Sequence, residues 1–186
     1  METATLSVDD AISLIDGGSW QNDKSTIQFL GQGDFRKVFR FKDLAIKQDH
    51  YKCKGFGVEG NNKHELDMFY RVSRLHNPAI ESLFLPVLAP KYINNSLYLV
   101  FPYVQTVDTY TEEHCLTPYQ NRMYKACNNI CDDVNKWNTG VLKNTVMLLD
   151  YGTRVELGRE LPTFLNKEYV EDVKNYCDSL KEKYQL

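Results

Sequence analysis

The sequence predicts an α+β fold, with a sheet-rich front half and a helical rear half. Three observations carry this expectation. Between Thr26 and Asp49, three short runs rich in Val, Ile and Phe are separated by Gly or Asp, the pattern of an antiparallel meander. Around Asn94-Asn95, and again over 140–149, apolar runs form two further hairpins. Over 61–75, 118–134 and 166–184, apolar residues recur at helical spacing.

Taken in order, "SVDDAISLID" places Ser7 three residues before Asp10, a capping-box spacing, and Gly17-Gly18 follow, so a short helix opens the chain. The meander strands are expected near 26–31, 36–41 and 44–48. The helix over 61–75 carries Leu66, Phe69, Tyr70 and Val72 as its apolar stripe. In "KYINNSLYLVFPYV" two strands flank Asn94-Asn95, because Asn tolerates positive φ in a tight turn. Thr117-Pro118 starts the next helix, since a first-turn proline gives up an N–H that would lack a helical partner anyway; Met123, Cys127, Ile130 and Val134 form its apolar face. After the hairpin at 140–149, the last helix has Val170, Val173, Cys177, Leu180 and Tyr184 on one side, and its late lysines suit the helix dipole.

A chain of 186 residues with 42% hydrophobic and 25% charged residues can bury a real core as one domain. A net charge of −3 gives no general affinity for nucleic acid or anionic membrane. No apolar run approaches bilayer length, and "METATLSVDDAISL" has neither a basic n-region nor an h-region, so a cytoplasmic setting is expected. Five cysteines, an odd number, fit reduced thiols. Cys127 and Cys131, with His114 nearby, make a CxxxC without a second matched pair, which reads as packed thiols rather than a zinc site.

Two glycine-rich stretches compete as a phosphate loop. "GFGVEG" (55–60) spells GxGxxG, but the polar "QDHYKCK" precedes it where a dinucleotide-binding loop needs an apolar strand, so a connector is expected there. "FLGQGDFRKVFRF" has the better context: Gly31 and Gly33 lie in a strand–turn–strand unit, with Val38 beyond and Arg36 at the third glycine position. Downstream, Ala45-Ile46-Lys47 ends a strand and Glu65 falls near the start of the next helix. Asp133 precedes Asn138 by five positions, and a hairpin leads into Asp150-Tyr151-Gly152.

In that order and on those elements, these residues resemble the protein kinase-like superfamily: its GxGxxGxV loop, V-A-I-K strand, catalytic loop and D-F-G triplet. The resemblance covers roughly 27–152 and implies a two-lobed kinase-like fold, an N-lobe over 1–103 and a reduced C-lobe over 104–186. It implies ATP and Mg²⁺ as cofactors, a protein substrate, Ser/Thr favoured as acceptor, and a monomer. By resemblance, Gly31, Gly33 and Val38 cover the nucleotide, Lys47 contacts its phosphates and is held by Glu65, and Phe101 and Tyr103 supply hinge backbone, with Val100 near the gatekeeper. Asp133 accepts the substrate proton, and Asn138 and Asp150 bind the metal. Cys131-Asp132 stand in place of His-Arg, so regulation through a phosphate read by that Arg is expected to be absent. Asn135 stands where many Ser/Thr kinases have Lys, with Lys136 adjacent. Only 34 residues follow Gly152 and no A-P-E is found, which is similar to compact effector kinases that some bacteria deliver into host cells, or to phage-encoded kinases. A catalytically inactive, nucleotide-responsive binding module and an AMP-transferring enzyme stay open as alternatives.

Overall fold

Strands β1 (Ile27–Gln32), β2 (Arg36–Phe41) and β3 (Leu44–Asp49) form an antiparallel meander, and β4 (Ala89–Ile93) and β5 (Ser96–Pro102) extend it to a five-stranded sheet of order β1-β2-β3-β5-β4. These strands come from a computed structural model that describes residues 6–22, 26–49, 60–106, 137–143, 145–152 and 167–186. The helices among these residues are α1 (Val8–Asp16), α2 (Asn61–Ser73), α3 (Pro78–Glu81) and α4 (Lys167–Tyr184), with a 3-10 turn at Ser19–Asn22 and a second hairpin of β6 (Thr139–Leu142) and β7 (Thr145–Leu148). The fold is thus α+β. The predicted helix over 118–134 lies outside the described residues. No helix among the described residues is long and apolar enough to cross a membrane.

The chain divides into two compact units. The first comprises Met1–Lys63, Val87–Tyr103 and Ser179–Leu186; the second comprises His64–Pro86 and Val104–Asp178. The whole five-stranded sheet belongs to the first unit. Helix α3 and α2 from His64 onward belong to the second, along with the β6–β7 hairpin.

In the first unit, α1 starts as its sequence dictates. The Asp10 N–H donates to Ser7 Oγ and the Ser7 N–H donates to Asp10 Oδ2, both at 3.1 Å. The Ser7 hydroxyl bond holds the Asp10 carboxyl below its ordinary value. Val8, Ala11, Ile12 and Ile15 are buried, and the helix is clasped to the sheet at both ends. Asp9 pairs with Lys91 at 3.1 Å, and Asp16 accepts from Asn94 Nδ2 at 2.7 Å and from the Tyr98 hydroxyl at 2.5 Å. Burial, reinforced by the bond to Asp16, pushes the Tyr98 phenol well above its usual value. Asn94 and Asn95 both take positive φ, 49° and 63°, as a type I′ hairpin turn requires. At the end of α4, Lys183 donates to Asp43 at 2.7 Å, and Tyr184 packs on Phe41.

Helix α2 departs from its apolar stripe. Leu66 and Val72 are buried as expected, but Tyr70 is 44% exposed, and the buried side includes Asn62 and Glu65, both at 0%. Two polar groups turn the helix because each has a specific bonding task. Asn62 Nδ2 donates to the carbonyls of Lys47 (2.9 Å) and Leu97 (2.8 Å), bridging β3 and β5, while the Asn62 N–H donates to Asp49 Oδ1 at 3.0 Å. The Asp49 carboxylate thereby caps the helix N-terminus from the strand end. It also explains one glycine: a Cβ at Gly60, the last glycine of "GFGVEG", would collide with that carboxylate. Gly55 and Gly57 lie outside the described residues. Asn62→Ala is expected to lower unfolding stability by about 1–2 kcal/mol, since two buried carbonyls lose a donor while the unpartnered Asn62 Oδ1 is removed as well. A urea melt with an unchanged midpoint would show that this bridge contributes nothing.

Candidate functional site

Cross-strand register groups one set of the predicted residues in the first unit. Gly31 pairs with Val38, Val38 with Lys47, and Lys47 with Leu99, so one row runs across four adjacent strands. Paired residues project to the same side of a sheet, and alternation adds Ala45 and Phe101 to that side. Gly31, Val38, Lys47 and Phe101, four residues singled out by sequence, therefore share one face. Val100 does not. It pairs with Ile46 and Ala89 on the opposite face, and the β5 side chains beside Lys47 are Leu99 and Phe101. A period of two turns a one-residue offset into a change of face.

Lys47 is only 5% exposed, with its Nζ 4.5 Å from the centroid of the Phe101 ring. A buried ammonium is costly unless paired, and the aromatic face offsets part of that cost. Phe101 thus contributes a ring as well as backbone. The Tyr103 N–H donates to the Asp43 carbonyl at 2.8 Å, so that donor is already bonded within the first unit. The Tyr103 ring carries the Arg40 guanidinium at 3.9 Å.

The turn between β1 and β2 is closed by the Gly33 N–H donating to the Arg36 carbonyl at 2.9 Å. Neither Gly31 nor Gly33 has positive φ, and a Cβ on either would meet nothing within 4 Å among the described residues. Neither backbone conformation nor packing against the described residues demands glycine at these positions. Changing both to Ala is expected to leave the unfolding midpoint unaltered or slightly raised, while weakening the expected nucleotide binding about tenfold or more, because glycine lets a ligand approach the backbone. The same change at Gly55 and Gly57 is expected to weaken binding little; a titration that ranks the pairs oppositely reassigns the loop.

The second unit carries a separate set of predicted residues. Thr139 pairs with Leu148, and the Leu149 N–H donates to the Asn138 carbonyl at 2.8 Å. The hairpin therefore returns the chain so that Asn138 lies beside Leu149, next to Asp150, at its open end. Gly140 is required there: a Cβ would come within 2.7 Å of Val104 Cγ1 and 2.9 Å of the Gln105 carbonyl. Asn138 and Asp150 are both half-buried. An amide oxygen and a carboxylate are hard donors that suit Mg²⁺ shared with nucleotide phosphates. Among the described residues no group of three or more His, Cys, Asp or Glu could hold a metal by itself.

Glu65 and the Asp150–Gly152 triplet come together directly. The Tyr151 N–H donates to Glu65 Oε1 at 3.1 Å, and both residues are fully buried. The Tyr151 hydroxyl donates to the Leu85 carbonyl at 2.7 Å, and its ring meets Phe84 edge-on at 5.1 Å. Asp133, Cys131 and Asp132 lie outside the described residues. Sequence reasoning missed Asn62, Asp49 and the Leu85 carbonyl. Asn61-Asn62 at a helix start looks like local capping, and a backbone acceptor leaves no mark in sequence.

An open cavity of about 500 Å³ in the first unit is lined by residues that include Ser7, Lys42, Asp43, Lys183 and Tyr184, and by none of the residues that the sequence singled out as site candidates. Compared with known proteins, the chain matches no protein-family model and no curated protein.

Proposed function

We propose that this chain is an ATP-dependent protein kinase, with a minimal two-lobed kinase-like fold, that transfers the γ-phosphoryl group of ATP to a Ser or Thr hydroxyl of a protein. The observation that carries the proposal is the junction in the second unit. A hairpin joins Asn138 to Asp150-Tyr151-Gly152, and the buried carboxylate of Glu65 accepts the Tyr151 N–H. Two further features support it: a buried lysine on a sheet face shared with Val38, and two glycines, Gly31 at the end of β1 and Gly33 in the turn after it, that no contact among the described residues requires.

In this reading Lys47 contacts the α- and β-phosphates, and the Gly31–Gly33 turn covers them. Val38 and Phe101 border the nucleotide, with Tyr103 at the hinge. Asn138 and Asp150 would hold Mg²⁺, which when bound with ATP offsets charge on the transferred group. The substrate oxygen forms a bond to the γ-phosphorus as the bond to the β–γ bridging oxygen breaks and ADP leaves. Asp133 accepts the hydroxyl proton. The odd number of cysteines supports a reducing, cytoplasmic setting, either in the producing cell or in a host cell that receives the chain.

The replacement of His-Arg by Cys131-Asp132 favours a second reading, a nucleotide-responsive binding module without turnover. Incubation of the purified protein with Mg²⁺, a cell lysate and either γ-labelled or α-labelled ATP separates the readings. Protein label from the γ position alone is the expected result. Label from the α position means AMP transfer, and ATP binding without label from either leaves the binding module.

A further inference from the structure

We infer that the Tyr151 hydroxyl is a latch that holds Asp150 in its metal-binding position, making Tyr151 a positioning residue of the site; the metal half of this inference rests on the proposed phosphotransfer.

The latch is built from both ends of a four-residue stretch. At one end, Leu148 is fixed to the 83–85 strip by two backbone bonds, Leu85 N–H to the Leu148 carbonyl (2.9 Å) and Leu148 N–H to the Leu83 carbonyl (2.7 Å). At the other end, the Tyr151 hydroxyl returns to the same strip by donating to the Leu85 carbonyl at 2.7 Å. Asp150 lies between two points tied to Leu85. The Glu65 carboxylate holds the Tyr151 N–H, and Phe84 supports the ring. A phenylalanine at 151 would keep the edge-on contact with Phe84 and the N–H bond to Glu65. It would lose the hydroxyl's tie to the Leu85 carbonyl.

A buried hydroxyl needs a partner to offset its desolvation, so Tyr in place of Phe adds one directional constraint to a residue that is already fully buried. That constraint acts on backbone position. Loss of the tie frees Tyr151, and with it the adjoining Asp150 carboxylate, to sample other positions, which weakens metal binding more than nucleotide binding.

Tyr151→Phe tests this with two measurements on the full-length protein. The first is amide hydrogen exchange over 145–152, which needs no activity. Exchange at Leu149–Tyr151 is expected to accelerate about tenfold, with α1 unchanged. The second is Mn²⁺ titration of the ATP-bound protein beside ATP titration in EDTA. Mn²⁺ affinity is expected to fall about tenfold while metal-free ATP affinity stays within about twofold. Unchanged exchange overturns the latch. Faster exchange with unchanged Mn²⁺ affinity makes the hydroxyl structural only and overturns its role in the site. Wild-type protein that binds neither ATP nor ATP with Mn²⁺ overturns the proposed function and the metal half of this inference with it, while the exchange result still decides whether the latch exists.

Discussion

Asp150→Ala is expected to abolish transfer of γ-label to protein, by about 1,000-fold or more, while the protein stays folded. The size follows from the role. In the proposed reading, removing one of two side chains that would hold the metal forfeits several kcal/mol of stabilisation of developing phosphoryl charge, and roughly 4 kcal/mol corresponds to about a thousandfold in rate. The fold should tolerate the change because Asp150 is half-buried, and its neighbours are held by groups that the substitution leaves intact. These are the Leu149 N–H bond to Asn138 and the Tyr151 bonds to Glu65 and Leu85. The check is the labelled-ATP assay, with circular dichroism and a thermal melt beside it. Retained γ-label in a folded variant would remove Asp150 from the site.

Glu65→Ala is expected to damage both stability and activity, in contrast to Asp150→Ala. Glu65 is fully buried and its carboxylate accepts the Tyr151 N–H at 3.1 Å. Truncation leaves a buried N–H without its acceptor and opens a cavity, at a cost of about 2–4 kcal/mol. The same loss loosens the segment that carries Asp150, so γ-transfer should fall about 100-fold or more. Glu65→Gln separates the two effects. The amide oxygen can still accept the Tyr151 N–H, so most of the stability should return, while loss of the negative charge should keep activity at least about tenfold below wild type. Denaturant unfolding and the labelled-ATP assay on both variants decide it. Full activity in the Gln variant would mean that Glu65 matters only as a hydrogen-bond acceptor for Tyr151.

Much of the secondary structure was legible because its causes are local. The Ser7–Asp10 capping box, the Asn94-Asn95 turn with both residues at positive φ, and the meander with breaks at Gly33–Phe35 and Lys42–Asp43 each follow from short-range chemistry. Helix α2 was legible as a helix but not in its orientation. Periodicity counts apolar side chains, whereas Asn62 and Glu65 are buried for bonds to partners distant in sequence, namely Lys47, Leu97 and Tyr151. Val100 shows the same limit in a strand. The run "LYLVFPYV" has no alternation from which to read its faces, and only pairing with β3 puts Leu99 and Phe101 beside Lys47 and turns Val100 away. The short helix α3 starts from equally local chemistry, an Asn77 cap with Pro78 in its first turn.

By itself the sequence determined the α+β class, the places of the turns and the helix starts, and the order Gly31, Lys47, Glu65, Asn138, Asp150 on which a kinase-like function is proposed. Tertiary structure decided which of these residues share a surface. The face that carries Lys47, the bridge from Asn62 to β3 and β5 and the ties on Tyr151 all join positions far apart in the chain. Their partners include backbone carbonyls of Lys47, Leu85 and Leu97. Every residue has such a carbonyl, so no residue type announces the one that will be used; folding selects it by bringing the strands and helices into contact.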